Sequence, residues 1–178
     1  MTTHAYAVPS TDLVITASED SVVVTDPLTG NPTTALTVNS GVTVGTLTNN
    51  STIQDYFDSS SNSNLSIAQI NGNIGTFINN GTIASVNNYQ YCSIVEVTGT
   101  GVISNFTNNG TISVAENSYN LNNYQSGAIK NSGYISTLTN TENGIIKGTR
   151  GISNLGRIDY LNNAGTISSS DNNMMMPM

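Results

Sequence analysis

Apolar and polar positions along this chain recur as one phrase, apolar-x-x-(Leu/Phe)-x-Asn-x-(Gly/Ser)-x-Ile. It is clearest at Ile74, Phe77, Asn79, Gly81 and Ile83, at Ile103, Phe106, Asn108, Gly110 and Ile112, and at Ile158, Leu161, Asn163, Gly165 and Ile167. Residues 44–53 fit with Ser51 in the glycine slot, and residues 135–146 fit with two extra residues before Gly144. Starting at 44, 74, 103, 135 and 158, the phrase repeats at intervals of 30, 29, 32 and 23 residues. Repetition of that length indicates a stacked architecture.

Within the repeat, alternation dominates and helical periodicity is hard to find, so each unit reads as two strands meeting at a bend. Ile74, Phe77 and Ile83 are expected to point inward and Thr82 outward, with Gly81 supplying a positive φ at the bend. A third strand falls between units, at residues 65–70, 93–97, 127–131 and 151–155. Three short strands per turn predict an all-β fold, a parallel β-helix (β-solenoid) of about five coils. Residues 1–40 read as an N-terminal β cap, with strands at 13–15, 21–25 and 35–38 and a turn marked by Pro27, Gly30 and Pro32. Residues 41–170 are the solenoid repeats, and residues 171–178 a tail of uncertain structure.

The Asn of the repeat recurs at Asn49, Asn79, Asn108, Asn140 and Asn163. Stacking would place these amides roughly 4.8 Å apart, the spacing of adjacent strands. Each side-chain carbonyl is expected to accept from the amide of the next coil, satisfying groups that are expensive to bury alone.

The shortest interval is the bare coil, and the longer ones carry inserts after the second strand. These lie at residues 54–65, 84–92 and 113–126, and insertions at one phase of a repeat emerge on one side of a stack. They hold Tyr56, Phe57, Tyr89, Tyr91, Tyr119 and Tyr124 in polar surroundings, the candidate binding residues. A tyrosine offers an apolar face and a hydroxyl, suited to sugars or protein surfaces. Thr46, Thr48, Thr76, Thr107, Thr137 and Thr139 fall in the outer phase, interrupted by Ile78, Asn105, Tyr160 and Asn162.

Charge narrows the possible partners. Charged residues make up 8% of the 178, with a net charge of -7. Lys130, Lys147, Arg150 and Arg157 are too few to neutralise a nucleic acid or to hold an anionic membrane, and they read as a solvated edge. No apolar run approaches membrane-spanning length. Cys92 is alone, so no intrachain disulfide forms, and an alternating strand at 91–97 would bury it. Residues 1–10 have neither a charged n-region nor an apolar h-region and do not read as a signal peptide.

Catalytic and metal sites are not expected, nor is a cofactor. His4 is the sole histidine, so triads and Cys/His clusters lack their members. Paired carboxylates are the remaining enzymatic option: Asp55 and Asp58 share an insert, while Glu96, Glu116 and Asp159 on other turns would have to converge.

The recurring Asn-Asn-Gly-Thr-Ile and Ile-x-x-Leu-x-Asn-x-Gly-x-Ile over residues 41–170 resemble the passenger repeats of bacterial autotransporter and pectin-lyase-like adhesins. The resemblance implies a right-handed parallel β-helix and a non-enzymatic extracellular or bacterial-surface module for adhesion or self-association. Its partners would be further copies of itself (a homo-oligomer or fibre) or a surface glycan or protein. The chain departs from that pattern in having neither a signal peptide nor a membrane β-barrel. A carbohydrate-active β-helix enzyme and a virion or tail-fibre segment are the alternative readings.

Overall fold

The computed structural model describes residues 3–6, 12–30, 34–55, 66–86, 93–114, 127–148 and 150–169. Within them, strands too short to stand alone are stabilised by stacking on the same strand of the next coil. β1 (Thr3–Tyr6) precedes the first coil, formed by β2 (Leu13–Ile15), β3 (Glu19–Val24) and β4 (Leu28–Gly30). The second coil is β5 (Leu36–Val38), β6 (Thr43–Asn49) and β7 (Thr52–Asp55); the third is β8 (Ala68–Ile70), β9 (Asn73–Asn79) and β10 (Thr82–Ala84). Then come β11 (Val95–Val97), β12 (Val102–Asn108) and β13 (Thr111–Ser113), and β14 (Ile129–Asn131), β15 (Tyr134–Asn140) and β16 (Ile145–Gly148). The last coil is β17 (Ile152–Asn154), β18 (Arg157–Asn163) and β19 (Thr166–Ser169).

Every strand pairs in parallel with its counterpart one coil away, giving three sheets. The first is β1-β3-β6-β9-β12-β15-β18, the second β4-β7-β10-β13-β16-β19 and the third β2-β5-β8-β11-β14-β17. This is a right-handed parallel β-helix of six coils, with β1 added beyond β3. The first coil falls within the stretch expected as a cap. Where Pro27 and Gly30 suggested a turn, Leu28 pairs with Ile53 and β4 is a strand.

The core is a set of columns. Val22, Leu47, Phe77, Phe106 and Leu138 stack in register along the first sheet, all at 0% exposure. Leu28, Ile53, Ile83, Ile112 and Ile146 do so along the second. Each such side chain contributes about 1.5–3 kcal/mol when fully buried. Phe77 and Phe106 stack with ring centroids 4.7 Å apart and planes 15° from parallel.

The glycine of the repeat has a different cause from the one expected. Gly41 (φ 78) is the one described residue with a positive φ, so Gly81 does not supply a left-handed bend. A Cβ on Gly81 would instead overlap the carbonyl oxygen of Ser51, and one on Gly110 that of Gly81. Successive bends approach too closely for a side chain.

Candidate functional site

The connections that carry the inserts share one corner. Residues 56–65 join β7 to β8, residues 87–92 join β10 to β11, and residues 115–126 join β13 to β14, each from the second sheet to the third. Tyr56, Phe57, Tyr89, Tyr91, Tyr119 and Tyr124 lie outside the described residues, as do Cys92, Asp58 and Glu116. Their flanks are described and in register. Ser66 and Ser93 are buried where the chain enters the third sheet, and Val86 is 49% exposed where it leaves the second.

Beside this corner, the outer face of the third sheet carries a polar network. Gln69, Glu96 and Lys130 occupy the middle positions of β8, β11 and β14, aligned by strand register. Lys130 Nζ lies 2.8 Å from Glu96 Oε1, and Ser66 Oγ donates to Glu96 Oε2 at 2.6 Å. Burial opposes ionisation of Glu96. The hydrogen bonds from Lys130, Ser66 and Gln69, with the Lys130 charge, outweigh it and hold the carboxyl below its ordinary value.

The other described acid of interest belongs to a different face. Asp159, on β18 of the first sheet, accepts from Tyr134 Oη at 2.6 Å and from Arg157 Nε at 2.5 Å. These bonds, that from Tyr134 foremost, hold its carboxyl below the ordinary value. The Arg157 guanidinium also sits 5.6 Å from the centre of the Tyr134 ring. Glu96 and Asp159 therefore stand on separate sheets with separate cationic partners, and the stack does not bring them together. The side chain of Asp55 lies outside the described residues. The cations form no single edge either: Lys130, Lys147 and Arg157 belong to three different sheets.

The outer face of the first sheet is uncharged over its central coils. Thr46 aligns with Thr76, Thr76 with Asn105, and Asn105 with Thr137, while Thr48, Ile78, Thr107 and Thr139 form the neighbouring column.

The Asn ladder spans all five coils expected to carry it. Asn49, Asn79, Asn108 and Asn140 are 0% exposed. Each Nδ2 donates at 2.8 Å to the Oδ1 of the following coil, ending at Asn163. This corrects the expected sense, since each carbonyl accepts from the preceding coil. Backbone groups set the direction. Asn49 Oδ1 accepts from the Ser51 amide, and the Nδ2 of Asn108 and Asn140 also donate to the carbonyls of Gly110 and Gly144.

Two further ladders were missed from sequence. On the exposed side, Asn109 donates to Asn80 and Asn80 to Asn50, the opposite sense from the buried ladder. The signal was present in the doubled Asn-Asn before the bend. In the third sheet Asn131 donates to Asn154 at 2.8 Å. Asn131 Oδ1 is buried without a partner, because the residue in register before it is Val97.

Comparison with protein-family models, with curated proteins and with solved structures found no match. The family resemblance thus rests on the repeat itself.

Proposed function

We propose that this chain is a non-enzymatic adhesion or self-association module acting outside a bacterial cell, in the manner of autotransporter and pectin-lyase-like passenger repeats. The observation that carries the reading is the common corner. Three connections of differing length join the second sheet to the third, and they hold the six candidate aromatic residues. A rigid stack presenting variable segments along one edge is a scaffold for binding, because the coils set the spacing while the segments supply the chemistry. Low charge on the flat faces leaves contact to hydroxyl, amide and aromatic groups, which suits a glycan or protein surface.

The test replaces Tyr56, Tyr89, Tyr91, Tyr119 and Tyr124, with Phe57, by Ser and measures binding to a glycan array and to bacterial cells. Binding lost with the β circular dichroism signal intact supports the reading. Binding retained by that variant rejects the corner as the site.

A further inference from the structure

Asparagine is followed directly by glycine at four places, Asn71–Gly72, Asn80–Gly81, Asn109–Gly110 and Asn143–Gly144. In such a pair no side chain on the second residue shields the asparagine amide from the next backbone nitrogen. At three of the four places the fold ties that nitrogen up. The Gly81 amide donates to the Asn49 carbonyl at 3.1 Å, that of Gly110 to Asn79 at 3.0 Å and that of Gly144 to Thr141 at 2.8 Å. An amide proton held by a carbonyl is lost only after the local structure opens. Asn80 and Asn109 are held at the side chain as well, each Nδ2 donating into the exposed ladder at 2.8 and 2.7 Å.

Asn71–Gly72 differs at both groups. Among the described residues the Gly72 N–H has no acceptor, and Asn71 Nδ2 reaches only Gln69 Oε1, at 3.4 Å. The cause is the length of the bend beneath it. Asn71 and Gly72 join β8 to β9, and they stack on residues 39–42, a bend of four residues where later coils have two. In the last coil, which stacks on the two-residue bend 132–133, the Leu155 and Gly156 amides both donate to the Asn131 carbonyl. Over residues 39–42 the Asn71 amide alone is taken up, by Val38 at 2.9 Å. The other four-residue bend, residues 98–101, has the same effect on the coil that follows, where Ser132 donates to Val97 and the Gly133 amide has no acceptor among the described residues. Position 72 also has to be glycine, because a Cβ there would overlap the carbonyl oxygens of Asn39 and Val42. The bend therefore demands the residue that leaves the asparagine unshielded.

We propose that Asn71 is a self-modification site, at which the folded chain converts its own side-chain amide to an acid. Hydroxide removes the Gly72 N–H proton and the nitrogen attacks Asn71 Cγ. The Cγ–Nδ2 bond breaks, and ammonia leaves with a proton taken from water, closing a cyclic imide. A second water opens the imide. Cleavage at Cγ gives aspartate, and cleavage at the main-chain carbonyl of residue 71 gives isoaspartate. Either product adds a negative charge to the bend, and isoaspartate also lengthens the main chain by one carbon. The bend is gripped from both sides: the Gly72 carbonyl accepts from the Val102 amide at 3.0 Å and that of Asn71 from Thr100 Oγ1 at 2.9 Å, opposite the bond to Val38. A longer main chain here strains the contacts of three successive coils.

The test uses the full chain without substitution. Incubation of the folded protein at mildly alkaline pH, followed by peptide mapping with mass spectrometry, should show acid at position 71 accumulating at least tenfold faster than at 80, 109 or 143. The rate should rise with pH, because hydroxide starts the reaction. In urea, with the chain unfolded, the four positions should react at comparable rates. The thermal midpoint of the parent should fall as isoaspartate accumulates, while that of Asn71→Gln, whose longer side chain closes an imide far more slowly, should hold. Equal rates in the folded chain, a faster reaction at Asn143, or a ranking that persists in urea would each overturn the proposal. A parent midpoint that does not fall as isoaspartate accumulates would overturn its structural consequence. Binding through the corner is independent of all these outcomes.

Discussion

Asn79 Nδ2 donates to Asn108 Oδ1 at 2.8 Å with both side chains fully buried, and this contact is the second of four links in a chain of amides running from the second coil to the sixth. Each member is both donor and acceptor. Removing one orphans a partner on either side, and a buried unsatisfied polar group costs about 1–3 kcal/mol. Asn108→Ala should therefore lower unfolding free energy by about 2–5 kcal/mol, from two orphaned amides. Asn163→Ala, exposed at the end with one neighbour in the ladder, should cost about 1 kcal/mol. Urea unfolding of both variants checks the ratio, and equal losses would show that the ladder is not acting as a chain.

Glycine in the repeat predicts a second contrast. A Cβ at Gly110 meets the backbone of the preceding bend, whereas one at Gly99 meets nothing within 4 Å. Gly110→Ala should destabilise by about 1–3 kcal/mol through overpacking. Gly99→Ala should be neutral or stabilise by about 0.4–1 kcal/mol, by restricting the unfolded chain. Thermal midpoints of the pair would read this directly, and a harmless Gly110→Ala would dismiss close approach as the reason for glycine.

Aromatic stacking occupies two coils where the same column elsewhere holds Val22, Leu47 and Leu138. Phe106→Ala should cost about 3–5 kcal/mol through the cavity it leaves. Phe106→Leu should cost less than about 1.5 kcal/mol, because neighbouring coils already accept branched aliphatic side chains in that column. Denaturation midpoints distinguish a column that tolerates substitution from one that needs the ring pair.

Acid stability follows from Glu96. Its carboxyl is held below the ordinary 4.5, so the folded chain binds fewer protons there than the unfolded chain near that pH. The stability it contributes is present above 4.5 and is lost as pH falls through the lower folded value. Asp159 contributes in the same sense, but it is exposed and its share is screened. Urea midpoints should fall on the acid side of 4.5, and less steeply for Glu96→Gln than for the parent. Parallel acid profiles would show that the Lys130–Ser66–Glu96 network does not contribute.

Most of the architecture was legible from spacing alone. The phase shared by Ile, Phe or Leu, Asn and Gly over five units required a stack, since a lone unit cannot bury its apolar side. Alternation then assigned Ile74, Phe77 and Ile83 to the inside and Thr82 to the outside. Strand β4 was hidden because Pro27 and Gly30 look like punctuation, and the pairing partner that makes Leu28 a strand residue is Ile53, 25 positions away. The first coil was hidden because Val24 stands where later coils have Asn.

Repetition in the chain determined an all-β parallel stack, its in-and-out phase and its ladder of amides, because a pattern kept in every unit is a statement about every contact between like units. The tertiary structure alone decided the donor direction of that ladder, the crowding that demands Gly81, and the partnership of Glu96 with Lys130. It also decided the separation of Glu96 from Asp159. These depend on which atoms of one coil meet which atoms of the next, and a one-dimensional phase does not carry that.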